Sequence, residues 1–264
     1  MMEQGNISGA HSGKSSKRSF LLMAFLVIMV TAVAIQANLW KEDRRVENVT
    51  VEGNRNVPTK DILALAKVPE NTKLFELDLY TIEQRVMKHA YVKSVAVLRD
   101  IPNRVRITIE ERVPVAAMVA DKLYYLDEEG YILPQIRSEH IFDLPVLSGS
   151  LGEGVIVTGK KSTNKSTLDA LYVLSVARQV DEELYLNISE INVKNNGDFV
   201  FYTSEFGIPV VLGRTQVGTR LVKFDGFWKS VVASQGAHEL LYIDLRFEDQ
   251  VVVRWNHDNG DAHS

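Results

Sequence analysis

The chain contains no cysteine. Disulfides, thiolate metal sites and a cysteine nucleophile are therefore excluded, and either redox compartment suits it. It has no excess of positive charge: 30 Lys and Arg stand against 34 Asp and Glu, a formal net charge of −4. That leaves no basic footprint for nucleic acid. The six histidines (His11, His89, His140, His238, His257 and His263) are scattered, and no pair has the H-x-x-x-H spacing of a zinc-binding helix. Neither a metal nor a cofactor is expected. At 45% hydrophobic residues the chain still has material for a real core. Asn48-Val49-Thr50 and Asn187-Ile188-Ser189 match the glycosylation sequon, a pattern short enough to arise by chance.

Long apolar runs are missing too, with one exception. Phe20 to Ala37 reads FLLMAFLVIMVTAVAIQA, without a charge. As a helix it covers roughly 27 Å, close to the hydrocarbon thickness of a bilayer. Two readings compete. Lys14, Lys17 and Arg18 followed by Ala32-Val33-Ala34 suit a cleaved signal peptide. The length of the run, and Trp40 where an interfacial aromatic belongs, suit a retained anchor. Charge does not orient it, because Lys41, Arg44 and Arg45 downstream balance the three cations upstream. The Gly/Ser tail, Gly5 to Ser19, is too short and polar to fold, so it is assigned to the cytoplasm.

After the run, Arg45 to Val51 alternates and stops at Gly53-Asn54-Arg55-Asn56, a strand and a turn. Pro58-Thr59 opens a helix that Thr59 can cap, with Ile62, Leu63, Leu65 and Ala66 on its apolar face and Pro69 at its end. Asp78 is a good N-cap for a second helix, with Leu79, Ile82, Val86 and Ala90 on one side and Lys88 and His89 in the last turn. Val95 and Val97 begin a strand; Asp100-Ile101-Pro102-Asn103 is a turn. Arg104 to Glu111 alternates with Val105, Ile107 and Ile109 inward, and Pro114 closes the unit. The order strand, helix, helix, strand, strand predicts a small sheet with helices on one face, an α+β module.

This module resembles a POTRA domain, through VENVTVEGNRNVP at 46–58, HAYVKSVAVLRDIPNRVRITIEERVPVAAM at 89–118 and the helices between. The stretch from Tyr91-Val92 to Glu111-Arg112-Val113-Pro114-Val115-Ala116 is similar to the FtsQ/DivIB family of bacterial cell-division proteins. There one POTRA domain follows one membrane helix after a short spacer.

The remainder is strand-rich. Tyr124 to Pro134 reads as a hairpin around Asp127-Glu128-Glu129-Gly130, and Leu144 to Gly149 is extended. Helices are predicted over Ser166 to Arg178 and Thr219 to Ser234. Strands are predicted over Ile188–Val193, Phe199–Tyr202 (across Asn195-Asn196-Gly197-Asp198), Pro209–Leu212, Leu241–Phe247 and Val251–Trp255. Leu126-Asp127-Glu128-Glu129-Gly130, Leu144-Pro145-Val146-Leu147-Ser148-Gly149, Val210-Val211-Leu212-Gly213 and Tyr242 through Trp255 resemble the β-domain of the same family. The resemblance spans 20–255. It predicts an α+β chain: a cytoplasmic tail 1–19, a transmembrane helix 20–39, a POTRA domain 45–115, a mixed β-domain with two helices 116–256, and a disordered tail 257–264.

Three motifs invite an enzyme. Gly213 to Thr219 lies in P-loop-like context, but Thr219 and Arg220 stand where Lys and Ser/Thr are required. Ser162-Thr163-Asn164-Lys165 fits S-x-x-K, yet no Ser-Asp-Asn or Lys-Thr-Gly follows. Glu110-Glu111 and Asp127-Glu128-Glu129 read as exposed strand and turn charges. A membrane-tethered serine hydrolase using Ser162 and an outer-membrane assembly factor built on POTRA are the alternatives; the second would need a long alternating barrel.

The resemblance implies a non-catalytic divisome scaffold, without a small-molecule substrate, in the cytoplasmic membrane at the division septum, with both folded domains outside. Its implied partners are FtsB- and FtsL/DivIC-like bitopic proteins and other divisome proteins. The implied binding segment is Tyr242 to Trp255. Tyr242, Asp244 and Arg246 share one face of it, Ile243, Leu245 and Phe247 the other, and partner contact falls to Tyr242, Asp244, Arg246, Phe247, Val253 and Trp255. On that carry-over Arg246 pairs with a partner carboxylate, and Phe247 and Trp255 are apolar anchors.

Overall fold

The computed structural model describes residues 14–42, 44–135, 142–151, 156–232, 234 and 236–256. The expected tail 257–264, residues 1–13 of the expected cytoplasmic tail, and His11, His140, His257 and His263 lie outside the described residues. Helix α1, Lys14–Glu42, contains the apolar run and extends it at both ends. It is the one helix among the described residues long and apolar enough to cross a membrane, over Ser19–Gln36, and none of that window is buried. Being apolar all round, it has no preferred face to turn toward a soluble core.

The next unit comprises β1 (Asn48–Glu52), α2 (Thr59–Ala66), α3 (Leu79–Val86), β2 (Val92–Asp100) and β3 (Arg104–Glu111). Its sheet has the order β1-β3-β2, with β1 parallel and β2 antiparallel to β3. The period-two pattern sends Val105, Ile107 and Ile109 inward, where they pack with Ile62, Ala66, Ile82 and Val86. Burying such side chains stabilises the fold by roughly 1.5–3 kcal/mol each.

Several local readings need correction. Arg45 stands outside β1, in an isolated bridge with Lys73. Pro58, not Thr59, occupies the N-cap of α2, without a side-chain cap; the Thr59 hydroxyl instead accepts from Asn54 Nδ2 at 3.1 Å. Leu63 is exposed, so the buried stripe of α2 is narrower than the pattern suggests. The helix stops before Pro69, on Lys67 at φ 46° and ψ 48°. A left-handed side-chain residue costs about 1–2 kcal/mol. Lys67→Gly should therefore raise the unfolding free energy by about 0.5–1 kcal/mol, once glycine's greater unfolded-chain entropy is subtracted. Denaturant titration checks this, and a decrease would refute it. Asp78 does cap α3, accepting from the Thr81 amide at 3.1 Å, and the Thr81 bonds hold its carboxyl below the usual range.

Lys88 and His89 follow α3 rather than ending it. His89 accepts the Tyr91 amide on Nδ1 at 3.3 Å. Burial pushes its imidazole below the ordinary 6.5, against the opposing pull of Asp61 and Glu111. The unfolded chain therefore takes up the proton first. The stability tied to this group is present above the unfolded pKa and is lost as pH falls through it. His89→Gln should flatten the stability decline between about pH 7 and 5.5; an unchanged pH profile of unfolding would count against it.

Pro114 is the first residue of the next strand, a position where its missing N–H is tolerated. The second sheet is built from β4 (Pro114–Val119), β5 (Leu123–Asp127), β6 (Ile132–Pro134), β7 (Val146–Gly149), β8 (Ile188–Val193), β9 (Phe199–Thr203), β10 (Pro209–Gly213), β11 (Leu240–Asp244) and β12 (Val252–Trp255). Its order is β12-β11-β10-β9-β8-β7-β4-β5-β6. The helices are α4 (Lys165–Val180), a short α5 (Glu182–Leu186) absent from the sequence reading, and α6 (Val217–Phe227), which passes into a π-turn over Trp228–Val232. Asn164 caps α4, accepting from the Thr167 amide at 3.0 Å.

Alternation along β4–β7 feeds two cores. Ala116, Met118, Tyr124, Leu126 and Leu147 pack with the residues of α4 and α6. Ala117, Tyr125, Leu133 and Val146 point the other way and continue the core of the first unit. Tyr91 crosses this junction, donating its hydroxyl to Pro134 O at 2.8 Å. Two readings of exposed acids fail here. Glu111 accepts the amides of Arg55, Asn56 and Val57 at 2.8 to 3.1 Å, tying β3 to the turn after β1. Asp127 is only 3% exposed and pairs with buried Arg112, Nη1 to Oδ2, at 2.6 Å. The same Nη1 reaches Glu129 at 3.1 Å, and the guanidinium lies 3.5 Å from the Tyr131 ring centroid. Arg112 in turn holds the Glu129 carboxyl below its usual range.

Candidate functional site

The terminal strands β11 and β12 carry the predicted partner-binding residues. They pair antiparallel, with Tyr242 opposite Arg254, Ile243 opposite Val253 and Asp244 opposite Val252. On its other side β11 pairs in parallel with β10 through Val210 and Val211, and Leu245 N donates to Val211 O at 2.9 Å. Among the described residues β12 therefore ends the sheet, with one side of its backbone unpaired by a strand. At the opposite end, β6 is three residues long and covered: Ile132 N donates to Lys160 O at 2.9 Å, and Gly159 N to Ile132 O at 2.7 Å. Among the described residues the open edge of the sheet is thus at β12 (Val252–Trp255).

The regular alternation foreseen for Tyr242 to Phe247 holds only to Asp244, where β11 ends. Ile243, Asp244 and Leu245 are all buried in succession, so Asp244 is not an exposed contact. Its carboxylate takes both Nε and Nη2 of Arg246, at 3.0 and 2.7 Å, and the Arg246 amide at 3.0 Å. Burial pushes the Asp244 carboxyl up, but these bonds and the Arg246 charge outweigh it and hold it below the usual range. Arg246 is half-exposed but already paired within the chain. Phe247 is 48% exposed. Tyr242, Val253 and Trp255 are half-buried. Val253 and Trp255 pack against the main core at its rim.

The sequence reading missed two residues that hold this edge. Arg220 is buried on α6, donating through Nη1 to Leu212 O at 2.7 Å and through Nη2 to Arg246 O at 3.2 Å. Lys223, one turn on, donates to Phe247 O at 2.7 Å and Glu248 O at 2.6 Å. Two cations at i and i+3 beside the apolar stripe of α6 were the available signal. Gly213 makes room for Arg220 and Arg246: with φ +75°, a Cβ there would meet Arg220 Nη1 at 2.6 Å and Arg246 Cγ at 3.1 Å. The P-loop-like segment thus serves close packing. Ser162 accepts the Asn164 amide at 3.2 Å in the turn before α4, whose first helical residue is Lys165.

A membrane-length helix, a β-α-α-β-β module and a strand-rich domain with an open terminal edge define the architecture to be matched. The FtsQ-type POTRA domain profile matches residues 44–112. The profile described as FtsQ/DivIB, C-terminal related, matches residues 113–253. The chain belongs to the FtsQ/DivIB family. It is 32% identical over 251 residues to the "Cell division protein FtsQ" of Rhodothermus marinus, with 90% of each chain covered. It is 27% identical over 231 residues to the protein of the same name from Syntrophotalea carbinolica, covering 87% of this chain and 80% of that one. Against the Salinibacter ruber protein of that name it is 28% identical over 238 residues, covering 87% and 90%. It is a cell-division protein, and its single apolar helix suits a single-pass membrane protein.

Proposed function

We infer that this chain is a non-catalytic scaffold of the divisome, with α1 retained in the cytoplasmic membrane, its start in the cytoplasm and both folded units outside, acting at the septum. Its partners are FtsB- and FtsL/DivIC-like bitopic proteins, captured by adding a strand to β12. The observation that carries this reading is the open edge of β12, flanked by half-buried Val253 and Trp255. An added strand would gain main-chain hydrogen bonds there and extend the core over both side chains. Phe247 supplies an exposed aromatic beside them. The pairing of Arg246 with Asp244 refines its role: a partner carboxylate would have to share or displace Asp244.

Phe247→Ala should weaken capture of a purified FtsB/FtsL-like pair by about thirtyfold, the loss of one hot spot worth about 2 kcal/mol. Arg246→Glu should abolish co-purification. Undiminished capture by both variants would refute the edge as the site. Depletion of the protein should produce long undivided filaments, and normal division would refute the scaffold reading.

A further inference from the structure

The start of the first unit lies within one residue of the end of α1, so with α1 retained in the membrane its near end lies beside the bilayer surface. The helix runs from the end of its apolar window at Gln36 to Glu42, a rise of about 9 Å. A headgroup layer is about 5–8 Å thick on each side of the hydrocarbon. Only Asp43 separates Glu42 from Arg44, and Arg44 O already accepts the Leu74 amide at 2.7 Å. Val46 N donates to Thr72 O at 2.9 Å and Glu47 N to Asn103 O at 2.8 Å. The 71–77 loop and the β2–β3 turn are thereby fixed at the membrane end of the unit.

Both carry a large exposed apolar side chain: Phe75 is 44% and Ile101 62% exposed. Arg99 fixes the loop that presents Phe75. It donates through Nε to Leu74 O at 2.8 Å and through Nη2 to Leu77 O at 2.7 Å, with its guanidinium 6.0 Å from the Phe75 ring centroid. Two residues further along the chain is Ile101. Around the pair stand charges that already have partners: Lys73 with Glu76 at 3.2 Å, Arg104 with Asp100 at 3.4 Å, and Arg45 donating to Asn71 O at 2.7 Å. An apolar pair rimmed by paired charges suits the boundary between headgroups and acyl chains, where aromatic residues collect.

We propose that Phe75 and Ile101 dock this end of the first unit onto the surface of the bilayer that α1 spans. The proposal rests on the reading that α1 is retained. Docking fixes the tilt of the unit on the membrane and sets the height of both folded units above it.

Because the chain has no cysteine, one introduced thiol carries one fluorophore. The full chain with Glu76→Cys, beside Phe75, is labelled and reconstituted into phosphatidylethanolamine–phosphatidylglycerol vesicles holding shallow nitroxide-labelled lipid. The reference is Arg55→Cys, exposed in the turn at the far end of β1. Quenching at 76 should exceed that at 55 by about threefold, the difference between a label at the headgroup boundary and one in water. Adding Phe75→Ser and Ile101→Ser should bring position 76 down to the level of 55. Equal quenching at the two positions, with the chain floating on the vesicles, overturns the docking alone. Quenching at 76 that ignores the double substitution also overturns it, since the tether would then account for the proximity. A chain that does not float overturns the retained helix and the docking with it.

Discussion

Arg112→Ala should lower the unfolding free energy by about 3–5 kcal/mol, the range for stripping one partner from a buried ion pair. Asp127 would remain almost fully buried, keeping only the amides of Glu129 and Tyr131 on Oδ1, at 3.0 and 2.8 Å. The mutation also removes the guanidinium from the Tyr131 face and from Glu129. These contacts lie where β4–β6 carry side chains of both cores on their two faces, so both cores should loosen together. Urea unfolding of the full chain in detergent, with Trp40→Phe so that the fluorescence reports Trp228 and Trp255, checks it. A loss under about 1 kcal/mol would show the pair to be dispensable. Arg112→Met with Asp127→Leu should recover only part of the loss, because two backbone amides would then lack their acceptor.

Phe224→Ala should cost about 3–5 kcal/mol, as expected for deleting a buried aromatic ring. Phe224 is 0% exposed, 5.0 Å from the Phe201 ring in an edge-on contact and 5.4 Å from Trp228. Its helix also carries Arg220 and Lys223, which grip the chain at 246–248. Loss of the ring should therefore reach the β12 edge without touching it. Amide exchange over 246–255 should quicken, and partner capture should weaken alongside stability. Phe224→Leu should recover most of both, since it refills most of the cavity. Unchanged exchange in a destabilised Phe224→Ala variant would separate α6 from the edge.

Much of the first unit was legible in the chain because its signals are local. Val105, Ile107 and Ile109 alternate against charged neighbours, and Asp78 precedes a helical stripe. The errors share one cause. The immediate neighbours of Thr59, Glu111 and Asp127 suggest a helix cap and exposed charges, whereas their roles depend on groups brought close by folding. Pro114 punctuates the chain as its ring predicts, but that it also starts β4 depends on pairing with β5. At the candidate edge, the membership of Val253 and Trp255 in a strand was readable. Burial of Asp244 and its pairing with Arg246 were not, because the alternation breaks where β11 ends.

The sequence by itself determined the apolar helix, the order of elements in the first unit and the absence of thiol chemistry. Each follows from composition or a short period that needs no partner. Only the tertiary structure decided that β12 is the open edge and β6 the covered one. It alone set Arg112 against Asp127 across the junction, and Arg220 and Lys223 against the loop after β11. Those outcomes depend on which distant carbonyls and carboxylates the sheet order brings within hydrogen-bond reach, and no local pattern encodes that order.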